Sequence, residues 1–354
     1  MKKAIWITAV FVFSTALCSL AQNQLGKVID VRPEASCPHG YFTGMHCSQA
    51  TVTCPNLANL NVTYGYADPA GKSVGTVFLH NGAGGTTPYA AGLNSSENYL
   101  QSYLQAGYQI VQVSWASDWE IVGGSNSASI GMAACRPATL MQYIYQNVHT
   151  SGAMCAQGQS AGSAAIAYAL TWYNASSYLD KVELISGPVF GDIEHGCAVP
   201  DASRVTVCPA GQFGCVGSSW QDVPEYAGGY LAAVRSWTQN SSCQGNRRTS
   251  PQSNNNWQTM SLVNGTSSNN FFYPQTAMGG WLCSNGLNNS AAQGEYYYTN
   301  FTTSSQIADY SLTRVDNCEG AEGVEQGKTP SGESAFSAIV TDMTDSSVGC
   351  VQRH

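Results

Sequence analysis

The 354-residue chain carries 14 Lys and Arg against 22 Asp and Glu, only 10% of its residues are charged, and its formal net charge is −8. So sparse and acidic a set of charges argues against nucleic acid or an anionic membrane surface as a partner, because both are gripped through basic patches. The length suits one large α/β domain with an insertion, or two small domains.

The chain begins like an export signal. Lys2 and Lys3 precede an apolar run from Ala4 to Leu17, and Ser19-Leu20-Ala21 offers small residues for cleavage, so residues 1–21 read as a signal peptide and 22–354 as the mature protein, secreted to the periplasm or outside the cell. The run is too short for an ordinary membrane span, and no later stretch is long and apolar enough for one. Of the 13 cysteines, Cys18 leaves with the leader and an even number remains, which in an exported chain predicts disulfides. Cys37, Cys47 and Cys54 lie near His39 and His46, but no C-x-x-C occurs, so bridges are favoured over zinc. Seven N-x-S/T sequons, from Asn61 to Asn300, matter only in a glycosylating host.

In chain order, Asn61 to Ala67 alternates as a strand and Gly75 to His80 is a short apolar strand. A glycine-rich loop follows, His80-Asn81-Gly82-Ala83-Gly84-Gly85. Glu97 to Ala106 predicts a helix with Ser96 as its N-cap, Tyr108 to Trp115 a strand, and Pro137 to Val148 a helix. Ala153 to Gln157 is a strand entering a tight turn at Gly158, Gly162 to Tyr173 a helix of small residues, and Val182 to Ser186 a strand. This alternation predicts right-handed crossovers and a mostly parallel sheet. The rhythm breaks from about Gly187 to Asn270, where Gly, Ser, Asn and Cys197, Cys208, Cys215 and Cys243 predict a cysteine-rich insertion or cap held by bridges rather than by a large core. It resumes with strands at Thr276 to Leu282 and Ile307 to Val315 and a helix at Gly332 to Met343.

Gly158-Gln159-Ser160-Ala161-Gly162 is a G-x-S-x-G. Chance alone supplies roughly 0.4 such matches in a chain this rich in Gly and Ser. What makes it informative is its place between a strand and a small-residue helix, where the turn raises a serine hydroxyl at the carboxyl edge of the sheet and the helix start favours negative charge. The His80–Gly85 loop, after an earlier strand, adds backbone N–H groups that can point at the same oxygen. These two elements, in this order, resemble the α/β-hydrolase superfamily, in particular its secreted esterases and lipases, over about Asn61 to Met343. The resemblance implies an α/β fold with a mostly parallel central sheet. It implies Ser160 as nucleophile, Ala161 and one of Gly82 or Ala83 as oxyanion-hole donors, a structural role for His80, and no metal or organic cofactor.

The sequence departs from that pattern at two places. Where the superfamily carries its acid, Cys283-Ser284-Asn285-Gly286 has no carboxylate. Where it carries its histidine, the loop Asp316 to Val324 has none, and Gly323 or a neighbour takes that position; Glu322 there is a runner-up base. The later His354 is the chain end, and His149 closes a helix, where a cation is favourable. His195, with Asp192 as its acid, follows the strand expected beside Ser160, although a cap residue next to Cys197 explains it as well. Trp115, Asp118 and Trp119 suit either the pocket wall or ordinary packing. The expectation is a secreted serine hydrolase acting on a small-molecule or polymeric carboxylic ester through an acyl-enzyme on Ser160. The alternative is a binding protein on a hydrolase scaffold whose catalysis has lapsed.

Overall fold

Strands buried on both faces are expected wherever helices cover both sides of a parallel sheet, and the middle of this chain builds such strands. The protein is described by a computed structural model over residues 24–89, 96–122, 129–191, 260–264, 271–284, 306–318 and 323–354, with the short pieces 193, 215–216, 219–220, 293–295, 297–298 and 300–301. The strands are β1 (Lys27–Pro33), β2 (His46–Thr53), β3 (Leu60–Ala67), β4 (Gly75–His80), β5 (Tyr108–Trp115), β6 (Ala153–Gln159), β7 (Lys181–Ile185), β8 (Cys215–Val216), β9 (Ser219–Trp220), β10 (Phe272–Cys283) and β11 (Gln306–Val315). The helices are α1 (Ser96–Gln105), α2 (Ile130–Ala133), α3 (Cys135–Asn147), α4 (Ala161–Tyr173) and α5 (Ala335–Thr344).

One 9-stranded sheet runs β1-β2-β3-β5-β4-β6-β7-β10-β11, and β8 and β9 form a separate antiparallel pair. Strands from β5 through β11 are parallel, while β1, β2 and β3 form an antiparallel wing joined to β5 through β3. The period of two sorts side chains between two cores. Phe78, Val111, Val113, Ala156, Val182 and Leu184 face α3 and α4. Val77, Leu79, Ile110, Cys155 and Ile185 face the layer of α1 and α5. Every residue of α4 except Trp172 is buried, which its run of Ala and Gly permits by letting the helix lie close to β6.

Chain order reverses at β4, with β5 on one side and β6 on the other. Loops that leave the carboxyl ends of neighbouring strands at such a switch point enclose a crevice, the usual place for a ligand in open α/β sheets. The loops after β4 and β6 carry the two glycine-rich motifs.

Among the described residues four bridges join Cys37 to Cys47, Cys54 to Cys135, Cys155 to Cys350 and Cys283 to Cys318. The cysteines near His39 and His46 are thus spent in disulfides. Cys155 on β6 ties the carboxyl-terminal tail beneath the sheet, and Cys54 ties the end of β2 to the start of α3. Two sequence expectations shift. Ser96 lies inside α1 rather than capping it, and the strands β1 and β2 add to the wing in a segment where no element was expected. β1 is exposed along almost its whole length, so it shows no apolar alternation to read. Residues 1–23 and most of 187–270, on which the signal peptide and the cap were read, lie outside the described residues.

Candidate functional site

Ser160 closes β6 and stands at the N-cap of α4 with φ 54° and ψ −115°. A side chain in this region of backbone space is strained by about 1–3 kcal/mol, a cost that persists only where surrounding contacts enforce the turn. Those contacts are visible. The Ser160 N–H donates to Ile185 O on β7 at 2.8 Å, and Ser160 O accepts from Ser163 N at 3.0 Å, Ala164 N at 3.2 Å and Ser163 Oγ at 2.5 Å. The side chain of Ser160 makes no capping hydrogen bond to its helix.

The flanking glycines are required by close approach. A Cβ on Gly158 would lie 2.4 Å from the Gly162 carbonyl carbon, and one on Gly162 would lie 2.1 Å from His80 O and 2.7 Å from Asn81 O. The second contact joins the two motifs directly, because His80 and Asn81 lead into the glycine-rich loop. Gly82 sits over the serine itself: a Cβ there would be 2.9 Å from Ser160 Cβ and 2.5 Å from Gln159 Oε1.

The 81–88 loop is held by its own side chains. Asn81 Oδ1 accepts from Gly82 N at 2.9 Å, and Asn81 Nδ2 donates to Thr87 Oγ1 at 2.8 Å and Pro88 O at 3.2 Å. Gly85 N donates to Gly82 O at 2.8 Å, closing a tight turn through Ala83 at φ 46° and Gly84 at φ 74°. A trans peptide sets its C=O and N–H in opposite directions. With Gly82 O drawn into the turn, the Ala83 N–H of the same peptide points out of it. At the start of α4, the Ala161 N–H is one of the four that no helical carbonyl can reach. The Gly82 N–H is already engaged with Asn81.

His80 is wholly buried beneath this loop. The Trp115 indole donates to its Nε2 at 3.0 Å, which leaves the proton on Nδ1 to donate to Asn81 O at 2.9 Å. Burial pushes its pKa down from 6.5 to about 4, against a smaller opposing effect of the Asn81 bond. A neutral ring with both nitrogens engaged is a strut, not a proton acceptor, as the sequence reading expected.

The remaining described histidines lie elsewhere. His46 on β2 opposes Tyr66, which pairs with Val111 in the middle of β5. His149 Nδ1 is 2.8 Å from Thr76 Oγ1 at the amino end of β4, and His354 Nε2 is 3.3 Å from Leu179 O, just before β7. His39 is exposed in the segment closed by the Cys37–Cys47 bridge, whose Tyr41 and Phe42 bond to Ser114 and Gln112 of β5. The expectation that His149 is a helix-end cation is overturned. Burial lowers its pKa, outweighing the Asp180 charge and the Gly152 bond that raise it. The expected His195, Asp192, Asn285 and Glu322 lie outside the described residues. Gly323 N-caps a short 3-10 turn, Val324 to Gln326, in which Val324 and Glu325 are buried. Glu325 Oε1 accepts from the Tyr89 hydroxyl at 3.1 Å.

The segment 116–122, after β5, forms the third side of this edge. Trp119 N donates to Gly84 O at 3.1 Å, and the Asp118 carboxyl lies against Gly84, where a Cβ would be 2.5 Å from it. Trp115 and Trp119 are buried, so both are packing residues flanking His80, with Trp119 edge-on to its ring at 6.5 Å. Nothing in the sequence singles out Glu120, yet it is 2% exposed, and burial reinforced by the Asp118 charge pushes its pKa up from 4.5 to about 8. An acid whose folded pKa is raised holds its proton more tightly in the folded chain. Its share of stability is therefore full below about pH 4.5 and is lost as pH rises through about 8. Glu120→Gln, which cannot ionise, is expected to remove that slope. Urea midpoints at pH 5, 7 and 9 should show the variant gaining on the parent with pH, by roughly 1–4 kcal/mol between the extremes.

A nine-stranded, mostly parallel sheet whose order reverses at β4, with a serine on a forced turn after β6 and a glycine loop after β4 pressed against it, defines an α/β-hydrolase fold. No protein-family model matches the chain, and no curated protein matches it in sequence. Solved structures do. The chain is similar to an esterase of Pyrobaculum calidifontis at 12% identity and TM-score 0.51, over 86% of each chain. It is similar to a brefeldin A esterase titled a bacterial homologue of human hormone sensitive lipase, at 15% identity and TM-score 0.53, over 88% of this chain and 78% of that one. It is also similar to an acetyl xylan esterase from Paenibacillus sp. R4 at 10% identity and TM-score 0.52, over 90% and 89%.

Proposed function

We propose that the protein is an exported serine hydrolase that cleaves carboxylic esters through an acyl-enzyme on Ser160. The observation that carries this reading is the contact of Gly82 with the Ser160 side chain on a backbone held at φ 54°. A hydroxyl raised there attacks a carbonyl. The N–H groups of Ala161 and Ala83 receive the oxyanion; Ala83 is preferred to Gly82 because the Gly82 amide is taken by Asn81. Oxyanion donors of this kind each lower the barrier by about 2.7–4 kcal/mol. His195, with Asp192, is the proposed base. It lies ten residues beyond the end of β7, the strand paired with β6, and His80, His149 and His354 are engaged elsewhere. The esterase titles of the similar structures fit this assignment. The stretch from about Gly187 to Asn270 is proposed as the cap that selects the ester, and residues 1–21 with the disulfides support export.

A second reading is a hydrolase scaffold that binds without turnover. It is favoured by one observation: the loop Cys283-Ser284-Asn285-Gly286 carries no carboxylate and the loop Asp316 to Val324 no histidine. A fluorophosphonate probe separates the two. Labelling mapped to Ser160, absent in Ser160→Ala and slowed at least a hundredfold in His195→Ala, supports the enzyme. A folded parent that takes no label supports the binding protein.

A further inference from the structure

A buried cation with no anion beside it needs explaining, since an unpaired charge is costly to remove from water. Among the described residues Arg136 is such a group. It lies in the first turn of α3, where the helix dipole disfavours a cation, and only 3% of it is exposed. The ion pairs found among the described residues involve Lys181 and Arg314, not Arg136. Its guanidinium instead donates to three backbone carbonyls. Nη1 reaches Trp119 O at 2.8 Å and Ile121 O at 2.7 Å, and Nη2 reaches Ala58 O at 3.0 Å.

Two of those carbonyls belong to the segment that abuts the glycine loop. Arg136 holds the carbonyl of Trp119, and the N–H of the same residue holds Gly84 O at 3.1 Å. Ile121 N donates to Asp118 O at 3.2 Å, so the two anchored carbonyls bracket the end of one turn. Asp118 at the head of that turn lies against Gly84. The path from guanidinium to glycine loop is therefore short and made of directional bonds. We propose that Arg136 is a positioning residue for the Ala83 amide, fixing the glycine loop through the segment 116–122. The inference rests on the ester-hydrolase reading of Ser160.

Burial lowers the Arg136 pKa only to about 10, so the cation persists at neutral pH. A methionine fills similar space without donors, and a lysine keeps the charge but lacks the planar fork that reaches carbonyls on two segments. Displacing an oxyanion donor by about 1 Å is enough to cost on the order of a hundredfold in rate.

The test compares parent, Arg136→Met and Arg136→Lys in the full mature protein on a p-nitrophenyl ester, at a temperature where circular dichroism shows all three folded. Inhibition by an alkyl trifluoromethyl ketone, to whose carbonyl the serine oxygen adds to give a hemiketal that carries the oxyanion, is measured alongside. The expected result is a tenfold to hundredfold fall in kcat for Arg136→Met with KM within about twofold of the parent. Ketone affinity should fall by the same factor, and Arg136→Lys should recover part of both. A merely structural arginine would lower Tm and leave the kcat of the folded enzyme and the ketone affinity untouched, and that outcome overturns the proposal. Should Arg136→Met not fold, Arg136→Lys carries the same comparison: parental kcat and ketone affinity overturn the proposal, and a parallel fall in both supports it. A parent inert to ester, ketone and fluorophosphonate overturns the hydrolase reading and this inference with it, whereas an active parent matched by its variants overturns this inference alone.

Discussion

Ser160→Ala is expected to lower kcat on a p-nitrophenyl ester by about 10^4–10^6-fold while leaving the fold intact. The loss of rate follows from the removal of the attacking atom. The residual rate is that of oxyanion donors and binding acting on water. The intact fold follows from three features of this turn. Ser160 makes no side-chain capping bond that alanine would lose. Its φ of 54° strains serine and alanine alike, so neither is favoured over the other by the backbone. The bonds that hold the elbow, to Ile185 O and from Ser163 and Ala164, are made by its main chain. The melting temperature should therefore stay within about 2 °C of the parent, the range of surface-like substitutions. Stopped kinetics on the folded variant are decisive: a kcat within tenfold of the parent would remove Ser160 from the chemistry, whatever the fold.

That so much of this edge was legible in the sequence has a local cause. β4 is a short, largely apolar run bounded by turn formers, and α4 is a run of small residues begun by a glycine turn, so pattern and structure coincide to within a residue or two. The elements that were missed lack such patterns. β1 has solvent along nearly all of its length, and β2 lies in a segment whose cysteines drew the reading towards bridges. His149 was misjudged for another reason. Helix-end position suggests a cation, but the ring is half-buried once the helix packs, its Nδ1 2.8 Å from Thr76 Oγ1 on β4, far away in sequence, and that burial lowers its pKa. Arg136 and Glu120 were illegible for the same reason, since carbonyls at residues 58, 119 and 121 meet the guanidinium only after the sheet has formed. Spacing reports on contacts within an element; it carries little about contacts between them.

Gly162→Ala sets two principles against each other and so discriminates sharply. Helix propensity alone predicts a gain of about 1 kcal/mol, because alanine is the better residue inside a helix. Gly162 is the second residue of α4, with no positive φ to forbid a side chain. Sterics predict the reverse. The new Cβ would lie 2.1 Å from His80 O and 2.7 Å from Asn81 O. These are backbone atoms at the root of the glycine loop, and they cannot swing aside as a side-chain tip can. His80 is locked by Trp115, and Asn81 by Thr87 and Pro88, so the loop must shift as a unit away from α4. Overpacking of this kind costs about 1–3 kcal/mol, which exceeds the propensity gain. The net expectation is a lower urea midpoint, and a kcat reduced at least a hundredfold because the shift carries the Ala83 amide off the oxyanion. Gly82→Ala makes the contrast: its Cβ meets Gln159 Oε1, the end of a side chain, along with Ser160 Cβ at 2.9 Å. It should lose activity with a smaller change in midpoint. A Gly162→Ala protein more stable than its parent would mean that the two motifs do not touch as drawn, and the oxyanion assignment would go with that contact.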